Sequence, residues 1–229
     1  MSSITRRSVL LTPLVALAIQ KHSYRFDQRF PATPAIDIDI VNGAITVRAS
    51  ARNDFRVTAD IELSAPIPED LELAKREVRF SPRPDGSTFR VAVETPEHQR
   101  QRYNYRHNVE VEIPVGTRLI LRGVNGKVQI SYDLAPGKDI YVKNINGEID
   151  LELPAPLNAD FQIRTLNGRI YSAFDMAALP DASDTTVTEH GMKRILTSNR
   201  FAGGRVGSGG VEIRIEGLNG DIRIVQRKV

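Results

Sequence analysis

An Asn-Gly pair recurs five times in the chain, at Asn42-Gly43, Asn125-Gly126, Asn146-Gly147, Asn167-Gly168 and Asn219-Gly220. The three middle copies follow one another at intervals of 21 residues. Their surroundings are alike: LRGVNGKVQI, VKNINGEIDL, IRTLNGRIYS and IEGLNGDIRI. Val41, Val124, Ile145, Leu166 and Leu218 precede the asparagines, and Ile45, Val128, Ile149, Ile170 and Ile222 lie two positions past the glycines. Asn and Gly reach positive φ at the least steric cost, so each pair bends an extended chain sharply. A fixed spacing of such bends confines the chain to short strands joined by corners.

The flanking residues alternate apolar and polar, the period of a half-buried strand. Ile36, Ile38, Ile40, Ile45, Val47 and Ala49 form one apolar set. Leu119, Leu121, Val128, Ile130 and Tyr132 form the second, and Ile140, Val142, Ile149, Leu151 and Leu153 the third. Phe161, Ile163, Ile170 and Phe174 form the fourth, and Val211, Ile213, Ile215, Ile222 and Ile224 the last. The opposite set is mostly charged or polar, so each copy has one buried and one wet face. Second corners fall at Ala135–Lys138 and Pro154–Asn158.

Two all-β architectures satisfy this pattern. In an antiparallel meander or sandwich each Asn-Gly is a two-residue hairpin turn. In a β-solenoid or β-helix-like stack each unit is one coil and equivalent strands stack on one another. A tight hairpin puts Val124 on the wet side with Lys127, and likewise Ile145 with Glu148. The solenoid lets these residues turn inward, and it is the expected fold, with Asn-Gly corners and one short helix. That helix is placed at Pro68–Glu77, with acids in its first turn and Lys75 and Arg76 in its last, as the helix dipole prefers. Asp54–Ser64 reads as a long strand with Phe55, Val57, Ala59, Ile61 and Leu63 on one side. Further strands are expected near Val78–Ser81, Thr88–Glu94 and Val109–Ile113. Residues 175–207 give the weakest pattern, and Val211–Val229 is expected to form an exposed edge.

At the N-terminus, Arg6 and Arg7 precede an apolar run from Val9 to Ile19, broken only by Thr12 and Pro13. A membrane span needs about 20 apolar residues. The run has signal-peptide length, and Ala16-Leu17-Ala18 offers an A-x-A site. Thr5–Leu10 is similar to the twin-arginine export motif, with Val9 where Phe is common; ordinary Sec export fits as well. The expected organisation is an export signal over 1–20, a polar linker over 21–35 and one strand-repeat domain over 36–229. The mature protein is then periplasmic or extracellular, without a membrane span unless the signal is retained as an anchor.

Charge and composition narrow the partners. The 31 Lys and Arg face 28 acids, and losing Arg6 and Arg7 leaves 29 against 28. A nearly neutral mature chain has no global drive toward nucleic acid. No Cys is present, which excludes disulfides and thiolate chemistry. Trp is also absent, so aromatic platforms for sugars are scarce.

Glu148, Asp150 and Glu152 share one strand face, as do Asp37 and Asp39. Alternate strand residues lie about 7 Å apart, which suits a cation or acid-base work on sugars; a solvated polar face is the plainer reading. Residues 97–107 (EHQRQRYNYRH) interleave Arg100, Arg102 and Arg106 with Tyr103 and Tyr105 and read as an exposed loop, with an acidic glycan, a lipid headgroup or a protein as possible contact. Gly203, Gly204, Gly207, Gly209 and Gly210 lack the Lys-Ser/Thr of a phosphate loop. His22, His98, His107 and His190 show no metal spacing. No cofactor, metal or catalytic residue is expected.

The apolar-Asn-Gly-x-Ile-x-Ile pattern of Val41–Val47, Val124–Ile130, Ile145–Leu151, Leu166–Ile170 and Gly217–Ile224 resembles the putative adhesin family of bacterial β-strand-repeat envelope proteins, a domain of unknown function. The resemblance covers about residues 36–229. It implies an extracytoplasmic β-solenoid-like domain with no assigned catalytic residues. The expected function is a non-enzymatic envelope adhesin or scaffold whose partner is a protein or glycan. The alternatives are a polysaccharide-acting β-helical enzyme and a regulatory or stress-sensing module that binds protein.

Overall fold

The structure is a computed structural model that describes residues 19–96, 102–178, 186–190, 193–197 and 202–227. Residues 1–18 of the expected export signal, with Arg6 and Arg7, lie outside the described residues. In chain order the strands are β1 (Gln20–Pro31), β2 (Ala35–Asn42), β3 (Ile45–Ser50) and β4 (Asp54–Ala65), followed by helix α1 (Pro68–Glu77). Then come β5 (Arg79–Asp85), β6 (Thr88–Glu94), β7 (Asn104–Pro114), β8 (Arg118–Asn125), β9 (Val128–Tyr132), β10 (Ile140–Asn146) and β11 (Ile149–Leu153). The rest are β12 (Ala159–Asn167), β13 (Ile170–Ser172), β14 (Ala177–Ala178), β15 (Thr186–His190), β16 (Lys193–Thr197), β17 (Ala202–Val206), β18 (Val211–Asn219) and β19 (Ile222–Gln226).

The strands form two mixed sheets, neither of them closed. One has the order β1-β4-β7-β3-β9-β11-β19-β13-β16-β15, the other β14-β17-β12-β18-β10-β8-β2-β6-β5. Each Asn-Gly pair carries the chain from the second sheet to the first. β2 pairs with β6 and β8, not with β3, so these corners are not two-residue hairpins. Equivalent strands of different copies pair in parallel and in register: Asn42 stands opposite Asn125, Asn125 opposite Asn146, Asn146 opposite Asn219 and Asn219 opposite Asn167.

The last copy is inserted between the third and the fourth. β18 lies between β10 and β12, and β19 between β11 and β13. The expected exposed edge at Val211–Val229 is therefore wrong for the described residues: the intervening chain leaves the fourth copy, returns, and lays β18 and β19 in the gap. Antiparallel β17 covers β12, and antiparallel β16 covers β13. At the other end β7, β4 and β1 extend the first sheet, and β6 and β5 the second.

The apolar sets read from alternation enclose one core between the sheets. Every residue of the five sets is buried except Val211, which is half-buried. Phe55, Val57, Ala59, Ile61 and Leu63 of β4 join it, as do Leu71, Ala74 and Val78 in and beside α1. Burying a large aliphatic side chain contributes about 2 kcal/mol, so the repeat itself supplies most of the drive to fold.

The segment 21–35, expected as a linker, contains β1, a 12-residue strand paired antiparallel along β4. Its alternation is hidden because one face is wet and the other only partly covered: Phe26 and Phe30 pack on the core while Lys21, Arg25 and Arg29 face acids of β4. On that face Tyr24 is 40% exposed, and only Phe26 and Phe30 pack on the core.

Candidate functional site

The corners form one straight edge of the molecule. The Nδ2 of Asn125 donates to Oδ1 of Asn42 at 2.9 Å, and that of Asn146 to Asn125 at 2.8 Å. The Nδ2 of Asn219 donates to Asn146 at 2.7 Å, and that of Asn167 to Asn219 at 2.8 Å. All four bonds run the same way. The glycines stack beside them: the N–H of Gly43, Gly126, Gly147 and Gly220 donates to the carbonyl of Asn125, Asn146, Asn219 and Asn167 in turn. Gly43, Gly126, Gly147 and Gly220 have φ between 134° and 151°, a region that side chains rarely adopt.

The residues before the asparagines do not turn inward. Val41, Leu218 and Leu166 are 36%, 39% and 63% exposed, and Val124 and Ile145 are half-buried. The inward stack expected of Val124 and Ile145 is therefore not formed. Period-2 alternation continues to the Asn, so the inward position is one residue earlier, at Ile40, Gly123, Asn144, Gly217 and Thr165. There the Asn144 amide donates to the carbonyls of Gly126 and Gly147, and the Thr165 hydroxyl to that of Gly220. The apolar residues before Asn form an outward row beside the amide ladder, exposed at Val41, Leu166 and Leu218 and half-buried at Val124 and Ile145.

Three strands of the first sheet project past this edge. Val109 of β7 is level with Ile45 of β3, and Ala59 of β4 and Phe26 of β1 are level with Val109. Gly43 lies against the His107 backbone, and His107 is level with Ile61 and Tyr24, so residues 104–106, 62–65 and 20–23 extend beyond the corners, by roughly 10–13 Å at the strand rise. In the angle between the projecting strands and the corner edge lies a cavity of about 900 Å³. Lys21, Glu62, Ser64, Asn104, Tyr105, Arg106 and Asn108 line it from the strands. Asn42, Gly43, Ala44, Asn125, Gly126 and Lys127 line it from the corners. Lys21 pairs with Glu62 at 3.1 Å, and Asn108 Oδ1 accepts the Ala44 N–H at 3.1 Å.

Glu148, just before β11, and Asp150 on its outer face are held between cations, whereas Glu152 has no ion pair among the described residues. Lys127 reaches Asp150 at 2.6 Å and Glu148 at 3.5 Å. Arg223 of β19 reaches Glu148 at 2.7 Å and Asp150 at 3.3 Å. The Arg223 hydrogen bond holds the Glu148 carboxyl below its usual range, and the Asp150 bond raises the Lys127 ammonium. Glu148 stays ionised at neutral pH, and both acids are engaged by cations. Among the described residues no group of acids and histidines is arranged to hold a metal ion. On the other sheet Asp37 pairs with Arg122 at 2.7 Å.

The loop expected at 97–107 differs in its second half; residues 97–101 lie outside the described residues. Asn104 begins β7, and alternation aims Tyr103, Tyr105 and His107 inward and Arg102, Asn104 and Arg106 outward. The interleaved Arg and Tyr are thus mostly strand period. Tyr103 donates to Glu77 at 2.7 Å, and Phe80 stacks on the fully buried His107 at 5.8 Å. The glycine cluster packs backbone against neighbours: a Cβ on Gly204 would meet Met176 at 2.8 Å.

The cavity escapes sequence reading because it depends on how far β7, β4 and β1 overshoot the first copy, which register alone decides. One signal exists: β4 spans 12 residues against 6 for β3, so it must extend past the coil beside it.

No family model matches the chain, and no curated protein does. The fold is similar to a putative cell adhesion protein from Clostridium sporogenes ATCC 15579 at 9% identity and TM-score 0.45, over 89% of this chain and 100% of that one. It is also similar to a putative lipid binding protein from Parabacteroides distasonis ATCC 8503, at 10% identity and TM-score 0.34, over 64% of this chain and 63% of that one. A third similarity is to a putative adhesin from Bacteroides fragilis NCTC 9343, at 8% identity and TM-score 0.25, over 89% and 97% of the two chains. Among the described residues no helix is long and apolar enough to cross a membrane.

Proposed function

We propose that the chain is an exported, non-enzymatic protein of the bacterial cell envelope, a β-solenoid that presents a rigid surface for adhesion or scaffolding. The observation that carries this reading is the continuous amide ladder from Asn42 to Asn167, which fixes five stacked coils in one register. Rows of outward side chains then stand about 4.8 Å apart on both faces. A surface of this kind binds through many weak polar contacts and needs little reordering on contact.

Export rests on Arg6, Arg7 and the short apolar run that follows. The absence of catalysis rests on Glu148 and Asp150, each already engaged by Lys127 and Arg223. Fractionation of the native chain and of the Arg6→Lys/Arg7→Lys variant tests the location. The native chain is expected in the periplasmic or outer fraction, with the variant retained inside if the twin-arginine route is used. A cytoplasmic native chain, or polysaccharide cleavage by the purified protein, overturns the reading.

A further inference from the structure

The amide ladder has a direction, and its donor end opens into the cavity. Each asparagine gives an N–H to the Oδ1 of the next, ending at Asn42. Asn42 accepts from Asn125, and its own Nδ2 has no hydrogen-bond partner among the described residues. Aligned hydrogen-bonded amides polarise one another, so the ladder presents partial positive charge at Asn42, as a helix does at its N-terminus.

Cations stand around the same space. Arg106 and Lys127 line it beside Asn42. Glu62 is the single acid lining it, and Lys21 neutralises it at 3.1 Å. Arg106 has no ion-pair partner among the described residues. The Oδ1 of Asn108 is used by the Ala44 N–H, which leaves the Nδ2 of Asn108 to donate outward. Lys127 is held by Asp150 and Glu148, so among the described residues Arg106 is the cation left unpaired in a donor-rich lining whose one carboxylate is already paired.

We infer that this cavity binds a carboxylate-bearing oligosaccharide, a ligand of the uronic-acid class. The carboxylate is drawn to Arg106 and the Asn42 amide, where charge-assisted hydrogen bonds are strongest. Asn104, Asn108, Asn125 and Ser64 supply amide and hydroxyl partners for ring hydroxyls. A volume of about 900 Å³ holds several sugar rings, and pockets of up to about 1,000 Å³ are usual for ligand sites. A peptide would need apolar pockets for its side chains, and the lining offers few. This inference rests on the surface-binding reading above and names the ligand class for it.

Titration calorimetry of the full chain with tetragalacturonate, a neutral cellotetraose and inorganic phosphate tests it. Tetragalacturonate is expected to bind, more weakly as salt rises, because exposed charges are screened. Arg106→Gln should weaken binding about tenfold or more, as loss of a charged hydrogen bond does. Asn42→Ala should weaken it several-fold, and Lys143→Gln, on the other sheet, should leave it unchanged. Urea midpoints for each variant separate lost binding from lost folding. Equal affinity for cellotetraose, or no effect of Arg106→Gln and Asn42→Ala in folded protein, overturns the inference. Phosphate competing as tightly as the sugar acid reassigns the site to a free oxyanion and overturns the glycan. If the protein fractionates with the envelope but ignores tetragalacturonate, the ligand class fails alone. If it binds the sugar acid but stays in the cytoplasm, the envelope reading fails.

Discussion

A Cβ placed on Gly126 would lie 2.0 Å from the carbonyl oxygen of Gly43. The same contact recurs along the edge, with Gly147 against Gly126 at 2.1 Å and Gly220 against Gly147 at 2.3 Å. The backbones of successive copies touch at the corners, and only hydrogen fits between them. Gly126→Ala faces both this clash and a φ of 151°. It is expected to cost about 3 kcal/mol or more, combining overpacking with a strained backbone. Gly86 provides the comparison: its φ is 60°, with nothing within 4 Å of a Cβ. Gly86→Ala should cost only about 1 kcal/mol. Urea unfolding of both variants measures the difference; equal midpoints would show that the corners are loosely packed.

Gly123 and Asn144 are coupled in the same way inside the core. A Cβ on Gly123 would meet Asn144 Oδ1 at 2.5 Å. Asn144 is buried and donates to two carbonyls, Gly126 at 2.9 Å and Gly147 at 3.1 Å. Asn144→Ala should cost about 2 kcal/mol, because the two carbonyls lose a buried donor. Gly123→Ala alone should cost about as much through overpacking. Made together, the two should cost at least about 1 kcal/mol less than their sum, since the second removes the group the first strikes. A double-mutant cycle in urea reads this directly, and strict additivity would mean the two sites relax independently.

The repeat made the core legible and left the ends obscure. Ile38, Leu121, Val142, Ile163 and Ile215 could be placed because alternation and the Asn-Gly bend fix both face and register locally. Nothing local says that β18 slides between β10 and β12, since every copy carries the same pairing surface. Exchangeable edges leave the order of strands to the length and route of the connection. Likewise Tyr103 and Tyr105 looked like a loop motif because residues before them lack alternation, and the strand starts only at Asn104. The cavity joins Lys21, Glu62, Arg106 and Asn42, four positions linked by register alone.

His107 makes the fold sensitive to mild acid. It is fully buried, neither ring nitrogen has a hydrogen-bond partner, and burial lowers its pKa to about 4. In the unfolded chain the ring takes up a proton near pH 6.5. Between these values the unfolded state binds more protons, so stability falls as pH drops from about 6.5 toward 4 and is flat above. The full loss is about 3 kcal/mol. His107→Phe keeps a ring against Phe80 and removes the titration. Urea midpoints from pH 4 to 8 should slope for the native chain and lose that part of the slope in the variant. Parallel slopes would place the acid sensitivity elsewhere, in the paired carboxylates such as Asp27 and Glu148, whose pKa values are lowered.

The carboxylates of β11 provide a last test, because their pairing is what separates this face from a cation site. Arg223 and Lys127 are both more than a third exposed, so their ion pairs contribute about 1 kcal/mol or less to stability. Their larger effect is to occupy Glu148 and Asp150. In a Lys127→Gln/Arg223→Gln variant Glu148 and Asp150 lose the cations that engage them. The freed pair should acquire weak calcium affinity, with a Kd of about a millimolar. Calcium at 10-fold that level should raise the melting temperature of the variant, since a ligand that binds only the folded state stabilises it. The native chain should not respond. An equal shift in both would mean that the cations leave the carboxylates free, and the face would then be available for binding or chemistry that the ion pairs otherwise block.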